Sequence, residues 1–416
     1  MKRFRLRGWL VLFIVLVAAR ICVVPIALSE HATQPRRTLL PGDVHRYHRI
    51  ALSHGVPYQD FEVEYPPVML GAIELLDASS VRTATVELMW SQAFVDIAIA
   101  VIVLWGWGKR ASLAYLLIGL PFLLYPFIYL RLDLLSVALA MLALAMVRRG
   151  RMRTGGALLA FSCFAKIWPV LLGPTFIVRR SMRGLVAFAA TGLVGLGAWV
   201  AWATTAGPTQ VLTLRGATGW EIESSVGSVL HTLQGGIVHI QEGAPRIGDA
   251  PAWATVAMAI GIAGATAAIW WLVSRIRPVS TAMLDGIAPL AVLVVFLLLS
   301  PIISPQYMCW LVPFAAIACL DGDYVIGVAM AAIVGLSTLG FALLIRLMHS
   351  DVAAIAIVDV RNVLLLALGA YLVVRLVRAA RARPEPEPKV VQLPEERVPV
   401  GALVDDLDEG PLSTPV

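Results

Sequence analysis

The chain has 416 residues, 59% of them hydrophobic and only 14% charged, with a mean hydropathy of +0.81. Soluble domains carry about a quarter charged residues, so this composition excludes a soluble globular domain and indicates an all-α polytopic membrane protein. The net charge of +6 does not point to nucleic acid, because basic residues flanking membrane spans ordinarily record topology.

Lys2, Arg3, Arg5 and Arg7 precede an apolar run over 9–28. No small-residue cleavage site follows and Arg20 interrupts the run, so it reads as an uncleaved first span rather than a signal peptide. Further apolar windows, each near the roughly 20 residues a bilayer requires, fall at 84–107, 111–129, 131–147, 184–206, 251–273, 281–300, 306–320, 322–347 and 359–379. Two stretches are too short to cross alone. The first, 66–78, opens on Pro66-Pro67 and predicts a half-helix. The second, 154–178, is broken at Lys166-Ile167-Trp168-Pro169 and predicts a hairpin that returns to its own side. With that assignment one face collects the basic clusters at 1–8, Lys109-Arg110, Arg148 to Arg153, Arg179 to Arg183, Arg275 and Arg277, and Arg375 to Arg383. The positive-inside rule then places both termini in the cytoplasm and residues 43–67 outside. A membrane domain over 1–380 with long outer loops at about 29–65 and 207–250 follows. After it comes a Pro-rich, charged segment, 381–416, expected to be a disordered cytoplasmic tail. The four cysteines lie in or beside apolar segments and read as small core residues.

The densest polar chemistry is "DVHRYHRIALSHGVPYQDFEVEYPP", residues 43–67. Asp43 opens a short helix expected to end near His54-Gly55, with Tyr47 one turn on. It reads either as an ordinary N-terminal cap or as a general base at the membrane surface. Asp60, Glu62 and Glu64 share one side if 57–67 is extended, Tyr65 following. Such carboxylates suit magnesium or manganese, and the alternative is backbone capping or pairing with Arg46 or Arg49. His45, His48 and His54 lack a zinc spacing, so no metal ligand is assigned. Arg131 and Asp133, in "YLRLDLL", read as an ion pair tying two helices, or Arg131 meets an anionic ligand. Lys166, deep in the membrane, needs a partner, which a lipid phosphate or a carboxylate would supply. Arg215, Glu221, Glu223 and Ser224 occur in "LRGATGWEIESS". "SPIISPQYMCW" offers Gln306, Tyr307 and Trp310 for hydrogen bonding and stacking on a sugar, or as an interfacial aromatic belt.

In order, the Asp after the first span, "GVPYQDFEVEYPP", "RLD", "KIWP", "EIES" and "SPQY" resemble the GT-C superfamily of membrane glycosyltransferases, specifically glycosyltransferase family 87 of actinobacteria, over roughly residues 10–380. The resemblance implies a bundle of about 10–12 transmembrane helices whose outer-face loops form the active site. It implies transfer of a sugar, with inversion, from a polyprenyl phosphate carrier to a lipid-anchored lipoglycan or cell-envelope acceptor. Mannose is the expected sugar, and arabinofuranose from decaprenyl-phosphoryl-arabinose the alternative. The role of general base falls on Asp43. Lys166 and Arg131 are expected as phosphate ligands, with Asp133, Glu64, Tyr65, Arg215, Glu223, Gln306 and Tyr307 as further substrate contacts. A lipid-linked-sugar flippase, motivated by Arg20, Asp96 and Lys166 within spans, is the reading from another class.

Overall fold

The computed structural model describes residues 2–33, 42–76, 79–213, 217–235 and 237–382. Arg215 and residues 383–416, most of the expected tail, lie outside the described residues. The chain is 77% helical with almost no sheet, the all-α membrane architecture expected from its hydropathy. Among the described residues six helices are long and apolar enough to cross a membrane: Gly8–Ser29 within a longer first helix, Val81–Trp107, Met182–Ala203, Ala252–Arg275, Tyr324–Ala342 and Val352–Arg381.

Three of the other apolar windows are broken, each beside a proline. The 111–129 window becomes the Lys109–Ile118 helix followed by two 3₁₀ turns, Leu120–Leu124 and Phe127–Leu130, with Pro121 and Pro126 at their starts. The 281–300 window is a π-helical Ala282–Ile287 turn running into Ala288–Leu298, and the 306–320 window enters Met308–Ala318 through a 3₁₀ turn at Pro305–Tyr307. Every residue of Met308–Ala318 is buried, which makes it a central helix. Met182–Ala203 and Ala252–Arg275 instead expose Leu193, Val194, Trp253 and Ile260, as lipid-facing helices do.

One helix supplies a ruler for the bundle. Asp133–Arg148 has 16 residues, so its two ends lie about 24 Å apart. At its Arg148 end, Arg148 Nη1 lies 3.7 Å from Asp285, which also pairs with Arg179 and accepts a 3.0 Å hydrogen bond from Trp107 Nε1. At its Asp133 end, Lys166 Nζ lies 3.1 Å from Asp133 Oδ1. The chain therefore climbs from Arg148 along Met152–Cys163 to Lys166, then descends through Trp168–Leu172 and Thr175–Val178 to Arg179. It is a broken hairpin. Its tip holds the Pro67–Glu74 half-helix, because Val68 N–H donates to the Phe164 carbonyl at 2.9 Å.

Arg20 and Asp96 join the first and second spans. Arg20 Nε donates to Asp96 Oδ2 at 2.9 Å and its other nitrogens donate to the Leu16 and Leu116 carbonyls, while Tyr115 and Tyr129 hydroxyls donate to the same carboxylate. A charge this deep is tolerated only when paired and hydrogen-bonded, and this one is both. Two of the three intramembrane charges that motivated the flippase reading, Arg20 and Asp96, are thus paired with each other.

The second long loop contains strands that hydropathy did not announce. Trp220–Glu221, His239–Gln241 and Ala244–Ile247 form an antiparallel sheet with the last strand in the middle. Gly243, at φ +75°, turns the hairpin, and any side chain there would collide with Arg46 of the first loop.

Candidate active site

The first loop delivers its carboxylate from the Gly42–Leu52 helix, whose Val44, Tyr47 and Ile50 are buried at helical spacing. Asp43 sits in the first turn, half-buried between two guanidinium groups. It pairs with Arg131, and Arg46 Nη1 lies 3.8 Å from its other oxygen. Arg46 in turn pairs with Glu64 and donates to the Glu242 carbonyl at 3.3 Å, so the first loop is latched to the hairpin of the second. Tyr65, beside Glu64, is buried with its ring edge-on to Tyr47 at 5.4 Å.

Two sequence expectations need correction here. Arg131 feels the Asp133 charge but does not form its ion pair there. Arg131 turns to Asp43, and Asp133 takes Lys166 and accepts a 3.0 Å hydrogen bond from Trp310 Nε1. Nor is 57–67 a simple extended strand with three carboxylates on one side. Tyr58 has φ +70°, Asp60 accepts from Val56 N–H at 2.6 Å to close a turn, and Glu64 is drawn to Arg46. Among the described residues no group of three or more His, Cys, Asp or Glu comes together as a metal ion would need. The helix expected to reach His54-Gly55 ends at Leu52, and Gly55 at φ +106° carries the chain away.

Lys166 stands on an aromatic floor. Its Nζ lies 5.3 Å from the Tyr307 ring centre and 5.6 Å from that of Trp310, and these two rings stack at 4.2 Å. Trp168 extends the stack against Trp310 at 5.6 Å. The KIWP and SPQY segments, far apart in sequence, thus build one surface, with Gln306 buried beside Tyr307.

The second loop brings two more carboxylates. Glu221 is seated by Ser304, whose hydroxyl donates to Oε1 at 2.8 Å, and by its own N–H, which donates to the Pro301 carbonyl at 3.1 Å. Glu223 follows on the turn that leads into the Ser225–Gln234 helix, which Ser224 caps through Gly227 N–H. Both side chains are buried, and both lie within electrostatic reach of Arg131 and of Arg361. Burial, only partly offset by the Arg361 charge, pushes the Glu223 carboxyl up to about 8. Burial also raises that of Glu221, against the hydrogen bond from Ser304.

Of the sequence-derived residues, Asp43, Glu64, Tyr65, Arg131, Asp133, Lys166, Glu223, Gln306 and Tyr307 fall in this one region, and Arg215 lies outside the described residues. The sequence alone assigns no substrate role to Arg46, read only as a partner for the loop carboxylates, to Glu221 or to Arg361. Arg361 carried a readable signal: an arginine inside an apolar span is costly and needs a reason.

A search of curated proteins returns no match. The profile of glycosyltransferase family 87 matches residues 64–301, more than half of the chain. The match takes in Glu64, Arg131, Lys166 and Glu223, and stops short of Asp43 on one side and Tyr307 on the other. A largely helical membrane bundle with a shared carboxylate and arginine-lysine region at the Asp133 end, together with this match, identifies the chain as a glycosyltransferase of family 87.

Proposed function

We propose that this glycosyltransferase moves mannose from a polyprenyl phosphate carrier to a lipid-anchored glycan acceptor, at the extracytoplasmic face of the membrane and with inversion at the anomeric carbon. The observation that carries the reading is the meeting of one carboxylate, Asp43, with two cations, Arg131 and Lys166, at one end of an apolar bundle. Inverting transfer from a lipid phosphate needs those three charges. A base must take the proton of the acceptor hydroxyl as its oxygen attacks the anomeric carbon. Cations must stabilise the phosphate as its bond to that carbon breaks. The basic clusters at the opposite end support a cytoplasmic location for Arg148 and Arg179, and hence an outer location for the site.

In this account Asp43 is the base. Its resting pair with Arg131 is exchanged when the donor phosphate arrives, because a phosphate competes for the guanidinium and frees the carboxylate. Lys166 is the second phosphate ligand, poised by Asp133 and seated on Tyr307 and Trp310. Asp133 therefore acts by positioning Lys166, and Glu64 by holding Arg46 beside Asp43. Tyr307 and Gln306 form part of the wall against which the sugar stacks. Mannose rests on the resemblance of the ordered motifs, and arabinofuranose is the competing sugar. The test is a donor screen with purified protein, labelled mannosyl and arabinofuranosyl polyprenyl phosphates and an acceptor extract, followed by linkage analysis. Product from the mannosyl donor is expected. Product from the arabinofuranosyl donor alone would overturn the sugar, and product from neither would overturn the carrier.

A further inference from the structure

Glu221, Glu223, Arg361 and Asn362 hold an unusual concentration of unpaired polar atoms. Each side chain is nine-tenths or more buried, Arg361 being 1% exposed. Yet Glu221 Oε2, Glu223 Oε1, Arg361 Nε and Nη1, and Asn362 Oδ1 have no hydrogen-bond partner. Leaving such a group unpaired is costly, and more so when it is charged. A fold does not gather five of them in one place without a partner to come.

The surrounding bonds hold these groups still while leaving those atoms free. Arg361 Nη2 donates to the Glu223 carbonyl, and Asn362 Nδ2 donates to Ser228 Oγ at 2.9 Å and to the Glu223 carbonyl at 3.3 Å. The last span therefore pins the turn that carries both glutamates. Ser304 holds one oxygen of Glu221 and leaves the other. What remains is three oxygens and two guanidinium nitrogens, on side chains gathered where the Arg131 charge reaches both glutamates. A phosphate, whose oxygens only accept, would leave the free oxygens of Glu221 and Asn362 unmet, and an apolar chain would strand all five atoms. A polyhydroxyl group fits, because each hydroxyl both donates and accepts.

We propose that Glu221, Glu223, Arg361 and Asn362 form the subsite that reads the hydroxyl groups of the transferred sugar, while Arg131 and Lys166 hold its phosphate. This rests on the lipid-phosphate donor proposed above and adds residues that decide which sugar is taken. Glu221 and Arg361 are the specificity-determining pair, because they carry three of the five unpartnered atoms.

The test compares binding of polyprenyl phosphate with and without mannose, measured on the purified full chain in detergent. Glu221→Gln and Arg361→Lys, each checked by thermal melt, are expected to weaken binding of the mannosyl carrier by roughly tenfold to a hundredfold. Binding of the sugar-free carrier is expected to stay unchanged. Equal weakening for both carriers, or none for either, overturns the subsite and leaves these residues holding only internal water. If neither variant folds, the wild-type chain decides with deoxymannosyl carriers. At least one missing hydroxyl should cost roughly tenfold or more, and losses under about twofold at every position overturn the inference. Failure of the wild-type chain to bind either carrier sinks the proposed donor, and this subsite with it. Normal wild-type binding with unaffected variants sinks the subsite alone.

Discussion

Lys166 separates the two tasks a buried cation can have, and a double-substitution cycle with Asp133 separates them experimentally. In the folded chain Asp133 is 3% exposed and has two charge partners or donors, Lys166 Nζ at 3.1 Å and Trp310 Nε1 at 3.0 Å. Lys166→Met removes the cation paired with that carboxylate and leaves it stranded, which costs about 3–5 kcal/mol. Asp133→Asn alone strands the lysine and costs a similar amount. The double variant Asp133→Asn/Lys166→Met removes both charges while an asparagine oxygen still accepts from Trp310. Most of the lost stability should return, leaving a deficit of about 1 kcal/mol. Turnover should not return, because the leaving phosphate has lost a cation that supplies about 10²-fold or more. The assay pairs thermal melts in detergent with single-turnover sugar transfer on the same preparations. A double variant that regains both stability and turnover would refute the phosphate role of Lys166 and leave only a structural ion pair.

Other expectations follow from the same geometry. Arg20→Met strands Asp96 and should destabilise by about 3–5 kcal/mol, while Arg20→Met/Asp96→Asn recovers most of it. Turnover per folded molecule should be normal in both, and a selective loss of transfer would bring this tie into the mechanism. Glu223 keeps its proton up to about pH 8 when folded, whereas an unfolded glutamate releases it near 4.5. The folded state therefore binds the extra proton between those values, so stability falls as pH rises across that window, by up to about 1.4 kcal/mol per unit. Glu223→Gln should flatten that slope in melts from pH 5 to 8, and an unchanged slope would contradict a buried neutral acid. Because Asp60 and Glu64 are drawn to different partners, we expect turnover to persist in strong chelator. Loss of activity restored by magnesium or manganese would reverse that expectation.

Much of this architecture was legible in the sequence because the bilayer imposes length and polarity on every span. The half-helix at Pro67 and the hairpin broken at Lys166 could be read from length and proline alone. Pairing was less legible. "RLD" places two opposite charges two residues apart, and a local ion pair is the economical reading. The structure crosses them instead, Arg131 to the first loop and Asp133 to the hairpin tip, since each finds a better-placed partner from another element. The strands at 220–247 gave no clear signal, because strands of two to four residues offer too little alternation to register. Arg361 stood in plain view as a charge within the last span, but its use depends on a turn well over a hundred residues earlier in the chain. No local pattern connects the two.

Single-turnover transfer from a labelled mannosyl polyprenyl phosphate by wild-type chain and by Asp43→Asn tests the central claim most directly. The wild-type chain is predicted to give an inverted glycosidic product. The variant, with an unchanged melt, is predicted to lose about 10²–10⁴-fold in rate, the share a positioned general base supplies. Equal rates from the two proteins would contradict the assignment of Asp43 as the base.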